Sequence, residues 1–259
     1  MPHSIRLALR LVLMVAKLLW IAGDFACLAV RSGGSPSLRA RTIWLQRSSR
    51  RMLQFLAVEV ETQGAPPSVG LLVSNHLTYL DILVLATLTP VVFVSKSEVR
   101  HWPVFGWFSR LGGTLYVDRT RRSDVARLGG EIRAVLNDGH LVVLFPEGTS
   151  SDGRDVLPFK SSLLEPVSGA QYPLTIAHLG YVLAEGSVAN DICYWGGMTF
   201  LPHFLKLLTK RGIQAHVHFA PIENPAIQRK DLARQLHAEV IRLKNLAGQV
   251  NDSPRCAVG

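Results

Sequence analysis

Short apolar runs alternate with helical patterns along most of this 259-residue chain, and that alternation restricts the possible folds more than any other feature. Six apolar runs have the length and composition of strands, at residues 70–74, 91–95, 114–117, 141–145, 173–178 and 215–219. Helical patterns lie between or after them, at residues 79–88, 104–110, 123–137, 161–167, 202–208 and 229–246. We therefore expect an α/β domain with a mainly parallel central sheet covered by helices. Ligands of such sheets bind beyond the carboxyl ends of the strands.

The first 60 residues are much more basic than the rest of the chain. They contain nine Lys and Arg against two acidic residues, so they carry +7 of the formal net charge of +9. A nucleic-acid-binding protein can also be basic, but these arginines lie among Leu, Ile, Trp, Met and Phe. That mixture favours an anionic membrane surface as the partner, and not a nucleic acid.

The apolar segment at residues 7–30 is long enough to cross a bilayer, but charges interrupt it. Arg10, Lys17 and Asp24 are spaced by seven, so they form one polar stripe on a helix. A charge at the bilayer centre costs roughly 2.5–3.5 kcal/mol, and a helix lying in the interface avoids most of that cost. A Gly-Gly-Ser-Pro sequence ends this helix, and a second amphipathic stretch follows at residues 37–57.

Both flanks of the apolar segment are basic, so charge bias does not favour moving one flank across the membrane. We therefore expect an N-terminal amphipathic two-helix element, embedded from the cytoplasmic face of the cell (inner) membrane. A single transmembrane anchor is the alternative that stays open. A cleaved signal peptide fits poorly, because the apolar region is long and charged residues break it.

Neither the cysteines nor the histidines form a pattern typical of a metal site. The chain has three cysteines, Cys27, Cys193 and Cys256. Their odd number and wide spacing predict neither a disulfide framework nor a Cys-x-x-Cys pair. His216 and His218 are spaced to share one face of a strand but lack a third partner. We expect no bound metal.

The run Asn-His-Leu-Thr-Tyr-Leu-Asp at the end of an apolar strand carries the strongest chemical signal. On a regular helix, His76 and Asp81 would lie about 140° apart around the axis and would not meet. The two side chains can meet if His76 lies in the strand-to-helix turn. Asp81 would then fix the imidazole tautomer, and the other ring nitrogen could take a proton from an alcohol. The alternative is a capping or core histidine.

Two later segments add polar groups at strand exits. Arg119 follows a Gly-Gly turn and a short strand, and its planar guanidinium could clamp a phosphate. Glu147 and Thr149 belong to a Phe-Pro-Glu-Gly-Thr turn after another strand, where a carboxylate could accept hydrogen bonds from substrate hydroxyls. Lys160 could add a second phosphate contact. Ordinary surface charges and an ordinary turn are the alternatives for these residues.

In this order and at these separations, the segments 76–81, 113–119 and 145–149 resemble the first three motifs of the glycerolipid (lysophospholipid) acyltransferases. That family includes the 1-acylglycerol-3-phosphate O-acyltransferases. The resemblance covers about residues 60–220. Three ordered motifs are far more specific than any one of them.

The resemblance implies an enzyme that moves a fatty acyl group from acyl-CoA or acyl carrier protein to the free hydroxyl of lysophosphatidate in phospholipid biosynthesis. It implies no cofactor beyond the acyl donor. By that pattern His76 is the general base, Asp81 is its partner and Arg119 binds the acceptor phosphate. Three residues of the third motif would shape the acceptor site: Glu147, Gly148 and Thr149.

One departure from the family pattern leaves the acceptor open. Ser150 stands where many members carry Arg, so another lysolipid, such as lyso-ornithine lipid, is an alternative acceptor. A non-catalytic membrane-binding protein is an alternative of a different class, and the presence of both His76 and Asp81 counts against it. We expect membrane-anchoring helices at residues 1–58, an acyltransferase domain at 59–250 and a flexible tail at 251–259.

Overall fold

The computed structural model describes residues 3–118, 121–169 and 171–252. It begins with two helices, α1 (His3–Arg31) and α2 (Leu38–Leu56), which we call the N-terminal helix pair. The side-chain oxygen of Ser37 caps α2 by accepting a hydrogen bond from the Ala40 N–H at 3.3 Å. Helix α2 ends at Ala57, which adopts the left-handed conformation. The predicted pair of amphipathic helices is therefore present.

In the described part of the chain, seven strands form one sheet. They are β1 (Val58–Gln63), β2 (Gly70–Ser74), β3 (Val92–Lys96), β4 (Leu115–Val117), β5 (Leu141–Leu144), β6 (Leu174–Leu183) and β7 (Ile213–Pro221). The strand order is β1-β7-β6-β2-β5-β3-β4. Only the β6–β7 pair is antiparallel among these neighbours. The expected α/β fold with a mainly parallel sheet is confirmed.

Helices cover both faces of the sheet. After the N-terminal pair they are α3 (Leu80–Leu88), α4 (Phe105–Leu111), α5 (Arg122–Asn137), α6 (Val188–Asp191), α7 (Phe200–Thr209) and α8 (Arg229–Asp252). One apolar core lies between the sheet and the helices α1, α2, α3 and α7. A second core lies on the other face, under α5 and α8.

Three local predictions differ from the structure. The predicted helix at 161–167 forms two short 3-10 turns instead, because Pro166 cannot continue the backbone hydrogen-bond ladder of a helix. Strand β1 was not predicted, because its sequence Val-Glu-Val-Glu-Thr-Gln holds only two apolar residues at a sheet edge. Strand β6 continues to Leu183, beyond the predicted end at residue 178, because β7 pairs with it along its whole second half.

Two of the three charged residues of the α1 stripe contact other helices of the protein. Arg10 donates to the carbonyls of Leu208 and Lys210 at the end of α7, and Asp24 pairs with Arg51 of α2 at 2.9 Å. The Lys17 ammonium lies 4.9 Å from the Trp20 ring. Met14 and Ile21 of α1 are buried in the core, and other apolar residues of the helix, such as Val12 and Leu19, are exposed. By length and composition, the segment Leu7–Arg31 could also cross a membrane.

The proposed division of the chain at residue 58 stays a prediction. Helix α2 packs on α3, and its Trp44 is fully buried in the core that they share. Helix α2 is therefore part of the folded body as well as part of the expected anchor. Of the expected tail, Asn251 and Asp252 still belong to α8, and 253–259 lie outside the described residues.

Candidate active site

His76 lies in the turn between β2 and α3, and Asp81 lies in the first turn of α3. The His76 Nδ1 atom is 2.8 Å from Asp81 Oδ2, so the two side chains meet as the turn geometry predicts. The same carboxylate oxygen accepts the backbone N–H groups of Leu77 at 2.6 Å and Thr78 at 3.0 Å. Asp81 is fully buried. These donors fix the position of the carboxylate.

Tyr181 completes the hydrogen bonding of Asp81, and the sequence did not point to it. Its hydroxyl donates to Asp81 Oδ1 at 2.7 Å from the extended part of β6. Burial and the neighbouring carboxylate raise the pKa of Tyr181 well above its ordinary value, so the phenol keeps its proton. The strand predicted from the sequence ends at residue 178, so it does not include Tyr181. A prediction that extended this strand to residue 183 would have placed Tyr181 near the histidine turn.

The Asp81 contact assigns the proton of the neutral imidazole to Nδ1, since a carboxylate can only accept. The Nε2 atom is then the nitrogen left for a substrate hydroxyl. The ring stacks on Phe145 with 4.2 Å between centroids, and 22% of the side chain is exposed. His76 is therefore fixed in orientation but reachable from solvent.

Glu147 is buried beneath the histidine loop. Its Oε1 accepts the backbone N–H of His76 at 2.9 Å, and its Oε2 accepts that of Leu157 at 3.3 Å. Burial raises the pKa of Glu147 to about 7, while the two backbone hydrogen bonds and Lys244 limit the rise. Only 2% of Glu147 is exposed, so in this structure its carboxylate holds backbone groups of two loops.

The other residues of the third motif follow Glu147 in the turn that contacts His76. Gly148 is buried with a φ of 74°, a left-handed conformation that favours glycine, and its N–H donates to the Phe145 carbonyl. Thr149 is exposed. Lys160 is exposed as well, and its backbone N–H donates to the Pro146 carbonyl at 2.9 Å. Within the described residues, the structure thus joins the histidine turn, the third motif and the backbone of Lys160. Arg119 lies outside the described residues.

Three further links hold the loops of this edge together. The Asn75 side chain bonds both the N–H and the carbonyl of Leu179 on β6, at 2.8 and 2.9 Å. The Ser151 N–H donates to the His76 carbonyl at 3.0 Å. The Tyr194 N–H donates to the Leu77 carbonyl at 2.9 Å. The turn that carries His76 is therefore tied to β6, to the third motif and to the segment before α7.

The expectation that no metal takes part stays a prediction. Among the residues that the structure describes, no group of three or more His, Cys, Asp or Glu is arranged to hold a metal ion. His216, one of the two histidines spaced along β7, has its Nδ1 atom 3.4 Å from Glu61 of β1.

A buried carboxylate that orients an imidazole at the end of a parallel strand is the arrangement of an enzyme that activates a hydroxyl group. Comparison with known proteins gives the class. The family model named Acyltransferase matches residues 57–177, which include His76, Asp81 and Glu147. The chain is 38% identical over 184 residues to the lyso-ornithine lipid O-acyltransferase of Brucella abortus, covering 66% of this chain and 69% of that protein. This chain belongs to the acyltransferase family.

Two other relatives are less similar in sequence to this chain. The lyso-ornithine lipid O-acyltransferase of Rhizobium meliloti is 35% identical over 191 residues, which are 68% of this chain and 65% of that protein, just under two thirds. The 1-acyl-sn-glycerol-3-phosphate acyltransferase of Neisseria meningitidis is 31% identical over 152 residues, covering 58% of this chain and 59% of that protein.

A solved structure shares the fold. It is the crystal structure of a 1-acyl-sn-glycerophosphate acyltransferase from Thermotoga maritima, with a TM-score of 0.62 and 19% identity. The match covers 92% of this chain and 98% of that chain. At this identity the likeness concerns the fold alone.

Proposed function

We propose that the protein is a membrane-bound O-acyltransferase that moves a fatty acyl group from acyl-CoA or acyl carrier protein to the free hydroxyl of a lysolipid. The observation that carries this proposal is the 2.8 Å contact between His76 and the buried Asp81, within a chain of the acyltransferase family. The product would be a two-chain membrane lipid. The basic residues of the N-terminal helix pair support a position on the cytoplasmic face of the inner membrane.

The reaction needs one base and no covalent intermediate. The His76 Nε2 atom accepts the hydroxyl proton while the acceptor oxygen attacks the thioester carbonyl. The carbon–sulfur bond then breaks, and the departing thiolate takes the proton from the imidazolium. Asp81 stays ionised throughout and stabilises the charged imidazole. The products are an ester and a free thiol.

The remaining site residues would bind or position the acceptor. Arg119 would bind its phosphate or another anionic group, with Lys160 as a second cation at the same edge of the sheet. Gly148 and Thr149 would shape the acceptor wall. Glu147 would shape it indirectly, because its carboxylate holds the backbone of His76 and Leu157 in place.

Two acceptors have support from different observations. Lysophosphatidate fits the phosphate-binding roles that the motifs give to Arg119 and Lys160. Lyso-ornithine lipid is supported by the names of the relatives at 38% and 35% identity, against 31% for the glycerol-phosphate enzyme of Neisseria meningitidis. Ser150, at a position where Arg is common, removes one cation from the third motif and also favours an acceptor without a phosphate.

The test is acyl transfer in mixed micelles by the purified full-length protein, His76→Ala and His101→Ala. His101 is an exposed histidine and serves as the matched control. Labelled acyl-CoA and acyl carrier protein would each be offered with lysophosphatidate and with lyso-ornithine lipid. We expect one acceptor to give product with the wild type and His101→Ala, and a loss of at least about a hundredfold with His76→Ala. Substantial turnover by His76→Ala would remove the general-base role.

A further inference from the structure

Three arginines from different parts of the chain surround Tyr116 on the edge strand β4. Leu115 and Val117 pack in the core under α5, so the side chain of Tyr116 points to the opposite face of the sheet. Arg41 comes from α2, Arg100 from the 3-10 turn Ser97–His101 and Arg110 from α4. We call Arg41, Arg100 and Arg110 the Tyr116 arginine cluster.

Arg100 contacts the Tyr116 ring, while Arg41 and Arg110 act on Tyr116 through their charge. The Arg100 guanidinium carbon lies 5.9 Å from the centre of the Tyr116 ring, and the Tyr116 hydroxyl is 2.5 Å from the Ser109 hydroxyl. Arg41 donates through Nε to the Leu111 carbonyl at 2.9 Å and through Nη2 to the Arg110 carbonyl. Burial raises the pKa of Tyr116, and the charges of Arg110, Arg100 and Arg41 oppose that rise. All three cations therefore act on the same phenol.

None of the three cluster arginines forms an ion pair with another residue that the structure describes. Other arginines, such as Arg51, Arg127 and Arg229, each pair with a carboxylate. None of the three cluster arginines lies within 4.0 Å of a carboxylate oxygen in the same described part of the chain. Like charges placed together repel, and an anion bound among them would remove that cost. Burial also lowers the pKa of Arg41, which indicates a partly dehydrated charge.

The surroundings of the cluster are apolar and exposed. Trp102, Val104 and Trp107 lie on the same turn-and-helix segment as Arg100 and Arg110, with exposed fractions of 37%, 45% and 42%. Tryptophan rings sit at the headgroup level of membranes, and arginines beside them meet the lipid phosphates. A free phosphate ion would gain no favourable contact from these apolar residues.

The cluster lies away from the histidine turn, although Arg119 of the expected acceptor site follows Tyr116 by three residues. Strands β5 and β3 lie between β2, which leads to His76, and β4. Three strand spacings amount to about 14 Å. Arg41 and Arg110 also belong to helices on the face of the sheet that the N-terminal helix pair covers.

We propose that the Tyr116 arginine cluster binds the phosphate of an anionic phospholipid headgroup in the bilayer. This lipid is not the acyl acceptor. It fixes the edge of the sheet at the membrane surface, in addition to the apolar contact of the N-terminal helix pair. The inference does not depend on the proposed acyl transfer.

The test compares full-length wild type with Arg100→Gln/Arg110→Gln in flotation with vesicles of phosphatidylcholine, with and without phosphatidylglycerol. The matched control is Arg234→Gln/Arg242→Gln, which removes the same charge from the exposed face of α8. Arg41 is left unchanged because its hydrogen bonds join α2 to α4. We expect the gain in binding that phosphatidylglycerol produces to fall about tenfold in the cluster variant and to stay near the wild-type value in the control. An equal fall in both variants would mean that net charge alone is responsible, and it would overturn the proposal.

Two further measurements separate this site from its rivals. In neutral detergent, we expect the acceptor KM of the cluster variant to match that of the wild type, and a raised KM would assign the arginines to the acceptor site instead. Equilibrium binding of inorganic phosphate is expected to be undetectable for both proteins. Phosphate binding that the cluster variant loses, with unchanged vesicle binding, would make this a site for a soluble anion. If the double variant does not fold, Arg100→Gln and Arg110→Gln are tested singly, each with an expected fall of about threefold.

Discussion

Asp81 accepts hydrogen bonds from the His76 ring, from two backbone N–H groups and from the Tyr181 hydroxyl. These donors spread the negative charge of the carboxylate over several partners. The imidazole therefore meets a carboxylate that is fixed in place and divides its hydrogen bonding among four donors. The Tyr181 hydroxyl is one of these donors, so it takes part in this balance.

Tyr181→Phe tests that balance. Without the hydroxyl donor the carboxylate becomes more basic, so the His76–Asp81 pair holds its extra proton to a higher pH. We expect a fall in kcat/KM of roughly tenfold near the acid limb, and a shift of that limb to higher pH. The measurement is the pH–rate profile in neutral detergent.

Tyr172→Phe is the matched control, because the Tyr172 hydroxyl donates to Asn137 on the surface. Its profile should coincide with that of the wild type. A merely structural role for Tyr181 would lower activity at every pH without moving the acid limb, and that result would contradict the positioning role.

At the level of elements, the N-terminal helix pair has two surfaces with different partners. Its charged groups contact the protein through Arg10 and the Asp24–Arg51 pair, and its apolar outer face is exposed. Val12 and Leu19 are 65% and 69% exposed. An apolar face of this kind on a fixed helix is suited to insertion into the headgroup and acyl boundary.

Val12→Glu/Leu19→Glu should therefore weaken vesicle binding without unfolding the domain. Each substitution removes an apolar contact with lipid and adds a charge that anionic headgroups repel, so we expect the partition coefficient to fall by about tenfold or more. Flotation with phosphatidylcholine and phosphatidylglycerol vesicles measures the effect. Ile227→Glu/Leu246→Glu changes two exposed apolar residues elsewhere and should bind as the wild type does. Equal loss in both variants would show that α1 has no special part in binding.

The contact between His76 and Asp81 could be predicted because it is local: five residues and a strand-to-helix turn determine it. The order of strands and helices could also be predicted from the sequence, because the spacing of apolar residues reflects which face of each element is buried. Tyr181 could not be assigned, because its partner lies 100 residues away and only the pairing of β6 with its neighbours brings them together. The burial of Glu147 was hidden for the same reason, because Leu157 and the His76 backbone approach it only in the folded chain.

The stability of the whole molecule should depend on the protonation of Glu147. Its carboxyl ordinarily has a pKa of 4.5, and burial raises the pKa to about 7 in the folded protein. The folded state therefore holds this proton more tightly than the unfolded chain does. The free energy of unfolding should fall as pH rises from about 4.5 to about 7, by up to about 3 kcal/mol from this group. Below that window this contribution is fully present, and above it the contribution is lost.

Glu147→Gln should remove this component of the pH dependence, because an amide does not ionise. The amide oxygen can still accept the His76 N–H, so the loop keeps one of its two bonds. Thermal unfolding in neutral detergent at several pH values across the window measures the slope. Glu98→Gln changes an exposed carboxylate and should leave the wild-type slope unchanged. If Glu147→Gln also keeps that slope, another buried group is responsible.

The length of β6 has a consequence for protein design. Strand β2 pairs with β6 only as far as Ala177, and β6 then runs on beside the histidine turn, where Leu179 meets Asn75 and Tyr181 meets Asp81. A designer who transplants the seven-residue turn into another scaffold transfers the visible motif without its support. The smallest transferable unit is the turn together with an overhanging neighbouring strand, whose residues are distant in sequence.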